Sequence, residues 1–285
     1  MTSPFTFLAK LKPIGDWPRT LGQFAKDEKA AQKIICKVHP IVVYKQRRRE
    51  DIDNVQRLIG NSLDAEVFPY GSVQLKTYLP DGDINFSAFG KENLEDKFTD
   101  DLKNVVEGEE RNKATRFVVK GVQVINAQVK LVRCIVQNIV VDISFNQIGD
   151  LCTLCFLEKV DLLIGKGHLF KHSIILIKAR CYYESHILVA HHGLISTYAL
   201  ETMLYIFHLI HSTLNDPLAV LFKYLDYVSK FDWENYCISL SGPVHIYSLP
   251  AIVAERKHKP LPKRNGPLEF NMVMARERHL RKSYL

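Results

Sequence analysis

Residues 139–145, IVVDISF, constrain this chain more than any other stretch: a β-branched apolar run with one carboxylate, Asp142, inside it. By composition the run is a buried strand. A charge in such a strand is expensive unless it meets a cation or another partner. Read alone, Asp142 is a strand-end aspartate in water or the ion-pair partner of a Lys or Arg; read with other carboxylates nearby, it is a metal ligand.

The segments around it have the same texture. EVFPYGS (66–72), DINFSAF (83–89), TRFVVKGVQVINAQVKLVRCIV (115–136) and NIVVDISFN (138–146) read as strands, and the charged segment 91–110 between them reads as a helix. Two helices are expected ahead of these, at 25–38 and 46–62. In the second, Ile52, Val55, Leu58 and Ile59 recur at helical spacing, and the arginine triplet of KQRRRED reads as part of a solvated face. From about residue 160 the pattern turns helical and stays so, through 171–188, 192–211 and a helix that starts at Asp216-Pro217, where a capping side chain precedes proline at the first helical position. The expected fold class is α+β: a mixed-sheet domain over 25–155, a helical domain over 156–254, and a basic, weakly ordered tail over 255–285.

Bulk properties narrow the function classes. With 47% hydrophobic residues in 285, the chain has enough apolar mass for a core. The most apolar run, LETMLYIFHLIHS, carries Glu201 and two histidines, so no membrane span is expected, and the start has no secretory pattern. An intracellular protein, nuclear or cytoplasmic, is the expectation, with KHKPLPKR as a weak nuclear signal. Six cysteines in a chain of this length read as reduced, largely buried thiols, and Cys152-x-x-Cys155 lacks a second ligand pair for zinc. Of the net charge of +7, residues 255–285 hold nine Lys and Arg against three Glu, or +6, so the body carries about +1. A basic groove on the body must therefore come from local residues.

The stretch FPYGSVQLKTYLPDGDINFSAFG (68–90) holds the remaining chemistry. Strand residues two apart project on one face, so positions 83 and 85 aim at the same spot. Two carboxylates there, joined by Asp142 from a neighbouring strand, would hold Mg²⁺ in a two-metal clamp. Gly71 and Ser72 offer a closely approachable backbone and a hydroxyl for a phosphate. A Gly-Ser turn, ten intervening residues, an Asp-x-Asp strand and a third Asp some sixty residues on is similar to the pattern of the polymerase β-like nucleotidyltransferases.

Within that superfamily, YLPDGDI, VDISFNQ, HHGLISTYALE and PLAVLFKYLDYVSKFDW make the chain resemble the noncanonical poly(A) polymerases and uridylyltransferases, and most closely a plant group of poly(A) polymerase/oligoadenylate synthetase substrate-binding-like proteins. The resemblance spans roughly residues 25–254. It implies an α+β nucleotidyltransferase domain followed by a helical substrate-binding domain, NTP and an RNA 3′ end as partners, and Mg²⁺ or Mn²⁺ as cofactor. It assigns Gly71, Ser72 and Lys178 to the triphosphate, Thr197 and Tyr198 to phosphate and base, and Asp83 and Asp142 to the metals. The family pattern has Asp where this chain has Asn85, which can offer only an amide oxygen to a metal. The chain also runs into AERKHKPLPKRNGPLEF where the family has a base-recognition loop. Two readings follow: a template-independent nucleotidyltransferase acting on RNA 3′ ends, impaired at Asn85, or a catalytically inactive module of the same fold that binds NTP or RNA.

Overall fold

The computed structural model describes residues 42–90, 95–112, 115, 117–126, 129–184, 196–239 and 242–248. The expected helix at 25–38, the segment 185–195 and the basic tail lie outside these residues. The chain divides into two compact units, Cys36–Lys159, and Val160–Leu285 together with Met1–Ile35.

In the first unit, helix α1 (Val42–Leu63) leads into strand β1 (Glu66–Tyr70), a short helical turn α2 (Ser72–Leu75) and strand β2 (Ile84–Phe89). Helix α3 (Glu95–Arg111) follows, and then β3 (Val119–Ile125), β4 (Leu131–Val136) and β5 (Ile139–Phe145). The five strands form one mixed sheet in the order β1-β2-β5-β4-β3. Only β2 and β5 run parallel; β1 with β2, β4 with β5 and β3 with β4 are antiparallel.

Strand parity sorts the side chains. Ile84, Phe86 and Ala88 of β2, Val132, Cys134 and Val136 of β4, and Val141, Ile143 and Phe145 of β5 share one buried core with Ile52, Val55 and Ile59 of α1 and Phe98, Leu102 and Val106 of α3. Their odd-and-even neighbours Asn85, Arg133 and Asp142 therefore project from the opposite face. A one-residue slip would drive Asp142 into the apolar core, so the hydrophobic pattern fixes the register of the polar row. The β4–β5 turn reinforces it: Gln137 and Asn138 both have positive φ (48° and 68°), the backbone of a two-residue hairpin loop.

Helix α4 (Ile148–Ile164) begins before the expected helical onset and carries the chain from one unit into the other. Cys152 and Cys155 lie on it exposed, whereas Cys134, Cys181 and Cys237 are buried, so among the described residues the free thiols are mostly but not all buried. Three residues apart on a helix, the exposed pair shares one solvent-facing side.

In the helical unit, α5 (Leu169–Ala179) is buried along nearly its whole length and continues as a π-helical turn, Arg180–Glu184. Helix α6 (Thr197–Ile210) is capped by Ser196, whose hydroxyl accepts from the Ala199 amide at 3.1 Å. Helix α7 (Pro217–Lys230) is capped by Asp216, which accepts from the Ala219 amide at 2.8 Å, as the Asp-Pro pair implies. A hairpin, β6 (Tyr236–Ser239) with β7 (Gly242–His245), corrects the expectation that the pattern stays helical. Its first strand alternates exposure, with Cys237 and Ser239 inward. Among the described residues no helix is long and apolar enough to cross a membrane.

Candidate functional site

The register of the sheet places one residue from each strand in a line: Tyr70 opposite Asn85, Asn85 opposite Asp142, Asp142 opposite Arg133, and Arg133 opposite Gln123. Cross-strand partners share a face, so this line is the polar row on the side away from α1 and α3. Asp83 lies just before β2, two residues ahead of Asn85, and Gly71 just after β1. The first unit thus brings together Gly71, Ser72, Asp83, Asn85 and Asp142, the residues the sequence pattern singles out.

Gly71 has φ 73°, and a Cβ there would meet the Asn85 amide nitrogen at 3.6 Å. Its left-handed backbone lets the turn close tightly against Asn85. The Asn85 amide nitrogen donates to an Asp83 carboxylate oxygen across 3.4 Å. Asp142 is buried and fully engaged by Arg133: Nε donates to Oδ1 and Nη2 to Oδ2, both at 2.7 Å. This is the bidentate fork geometry of a strong charge-assisted pair. Its hydrogen bonds to Asp142, and then the charges of Asp142 and Asp83, raise the pKa of Arg133.

A second arginine touches the loop ahead of Asp83. Arg48 of α1 is 4% exposed, donates from Nη2 to the Pro80 carbonyl at 3.0 Å and lies 4.8 Å from the Tyr78 ring centroid. Burial lowers its pKa, while Tyr78 and the carboxylate charges of Asp83, Asp51 and Asp81 oppose that effect. The arginine triplet is therefore not one solvated face: Arg47 and Arg49 are exposed, but Arg48 pins the Asp-bearing loop. At the other end of the row, burial pushes the Tyr70 phenol far up, helped by the nearby charge of Asp150.

This donor set does not fit a two-ion clamp. Mg²⁺ takes carboxylate and other oxygen ligands. Here both oxygens of Asp142 accept from a guanidinium, and the third position turns an N–H toward Asp83. Among the described residues no group of three or more His, Cys, Asp or Glu could hold a metal ion.

In the helical unit, Lys178 of α5 is 6% exposed and its ammonium lies 4.0 Å from the carboxylate of Glu201 on α6, itself 6% exposed. Burial pushes Glu201 up to about 7, with Lys178 opposing. Thr197 and Tyr198 open α6, both half-buried. Arg133, Arg48 and Glu201 are the charged neighbours that sequence reasoning did not single out.

Residues 164–275 match the family model of the PAP/OAS1 substrate-binding domain. No curated protein sequence matches the chain. Among solved structures, the Cid1 poly(U) polymerase with MgGTP bound is similar at TM-score 0.64 and 12% identity, covering 77% of this chain and 80% of that one. The GLD-2/RNP-8 complex gives TM-score 0.61 at 14% identity over 77% and 80%. The polymerase core of TRAMP, an RNA surveillance complex, gives 0.64 at 16% identity over 90% and 80%. The chain has the polymerase β-like nucleotidyltransferase fold. More narrowly, the match to the PAP/OAS1 substrate-binding domain falls in its helical unit.

Proposed function

We propose that this chain is a nucleotidyltransferase-fold module that binds nucleoside triphosphate and an RNA 3′ end, and in which two-metal nucleotide addition is disarmed. One observation carries the reading: the partner of Asp142 across to β2 is Asn85, a neutral amide whose N–H faces the carboxylate of Asp83 two residues ahead of it. Losing a metal carboxylate worth ~3 to 4 kcal/mol of transition-state stabilisation lowers a rate by roughly two to three orders of magnitude. On this proposal residues 25–155 form the nucleotidyltransferase domain and 156–254 the substrate-binding domain. Within the first unit Gly71 and Ser72 are the residues for triphosphate, and within the helical unit Lys178 is the residue for phosphate and Thr197 and Tyr198 those for phosphate and base.

The second reading is template-independent addition of AMP or UMP to RNA 3′ ends with Mg²⁺ or Mn²⁺. It is favoured by the retention of Asp83 and Asp142 on one face of the sheet. Primer extension on a labelled RNA, with each NTP and Mg²⁺ or Mn²⁺, separates the two. The disarmed reading predicts that wild type and Asp83→Ala give the same background. Extension by wild type that Asp83→Ala abolishes would establish the enzyme reading instead.

A further inference from the structure

We propose that the Arg133 guanidinium takes the place of a divalent cation in the polar row, so that this site binds the phosphates of a nucleoside triphosphate without metal. This rests on the NTP-binding reading above and adds the cation to it.

The position of Arg133 follows from the sheet. β4 and β5 pair directly through Arg133 and Asp142, and Asn85 is the next partner across on β2. A cation at this place does what a metal would do to Asp142: it supplies positive charge to both carboxylate oxygens at 2.7 Å. It also lies in the field of Asp83. A metal approaching Asp142 must displace a bidentate fork that is already seated in the fold.

The guanidinium has capacity left over. Of its five N–H groups two are used on Asp142, and Nη1 makes no hydrogen bond among the described residues. The Arg133 side chain is 40% exposed, so this remaining edge is open to solvent on the polar face, while Asp142 behind it is only 9% exposed. Arginine suits a bridging role: a planar donor that holds a carboxylate by one edge and a phosphate by another, charged at every working pH. The neutral Asn85 fits the same design. A third carboxylate would add repulsion against phosphate that one guanidinium could not offset, whereas an amide adds none and can itself donate.

The ligand class is a polyphosphate, and the nucleoside triphosphate is the member that the Gly71-Ser72 turn, beside Asn85, would meet. The test is calorimetric titration of the full-length protein with ATP and UTP, in Mg²⁺ and again in excess EDTA, on wild type, Arg133→Gln and Arg133→Lys. Affinity within about threefold in the two conditions is expected, with Arg133→Gln at least tenfold weaker in EDTA, as the loss of a charge-assisted contact implies. Arg133→Lys, which keeps the charge but loses the fork, should fall between. Binding that appears only with Mg²⁺ would overturn the inference and leave NTP binding standing. Binding undiminished in both variants would also overturn it. No binding of either nucleotide in either condition would overturn the NTP-binding reading itself. Should Arg133→Gln lose its fold by circular dichroism, the comparison of wild type in Mg²⁺ and EDTA decides alone.

Discussion

Replacing Arg133 by glutamine tests whether the polar row is held together by its own arginine. At 2.7 Å the attraction between unit charges is ~1.5 kcal/mol in bulk water and ~6 kcal/mol at an effective dielectric of 20. Arg133 is 40% exposed and Asp142 9%, so the pair lies between these limits, and part of the gain offsets the desolvation of Asp142. The expected loss is about 2 to 3 kcal/mol at pH 7, or roughly 5 to 10 °C in melting temperature for a unit of this size. Without its cation the buried Asp142 carboxylate is left unpaired, and that uncompensated charge is the main cost. Asp142→Asn added to Arg133→Gln should recover most of the loss, giving strong non-additivity in a double-mutant cycle. Urea denaturation of the four proteins at pH 7 measures all of this. A deficit under 0.5 kcal/mol at pH 7, or additive single losses, would refute the argument.

Asn85→Asp places a second carboxylate where the amide now stands 3.4 Å from Asp83. It should lower stability by ~1 to 2 kcal/mol at pH 7 but not at pH 4, and by itself leave primer extension at background, because Arg133 still holds Asp142. Glu201, pushed up to about 7 by burial, binds its proton more tightly folded than unfolded. Its contribution is therefore complete below about 4.5 and lost as pH rises through about 7; Glu201→Gln should flatten that decline in a pH series of thermal melts. His208 is lowered to about 4, chiefly by burial and further by Lys166, so the unfolded chain takes up a proton first. Stability should fall as pH drops from about 6.5 to 4, and His208→Phe should remove that acid limb. Asp216→Ala, which deletes the cap of α7, should cost about 1 kcal/mol at neutral pH in urea denaturation.

Much of the fold is legible because its signals are local. Apolar residues at alternate positions mark β2 and β4, the apolar run IVVDISF marks β5, and Asp216-Pro217 marks a helix start. The grouping of Gly71, Ser72, Asp83, Asn85 and Asp142 was also readable, from one turn and one strand period. The partners of these residues were harder, for different reasons. Arg133 could have been found: a two-residue turn at Gln137-Asn138 dictates that residue 133 faces 142, and the signal lay in assigning that turn. Arg48 could not, since its burial depends on docking α1 against the Pro80 carbonyl, a contact 32 residues away in sequence. Glu201 in an apolar helix signalled a buried charge, but its pairing with Lys178 requires the packing of α5 on α6. The β6–β7 hairpin is too short, at four residues a strand, for alternation to stand out against the helices before it.

In the polar row a guanidinium and an amide stand where a pair of metal ions would need carboxylate oxygens. Electron paramagnetic resonance of Mn²⁺ titrated into the wild type, Asp83→Ala, Asn85→Asp and the Asn85→Asp/Arg133→Gln double variant tests it directly. The same weak Mn²⁺ uptake is expected in wild type and Asp83→Ala, with a bound ion gained only in the double variant. Tight Mn²⁺ binding by the wild type that Asp83→Ala abolishes would contradict it.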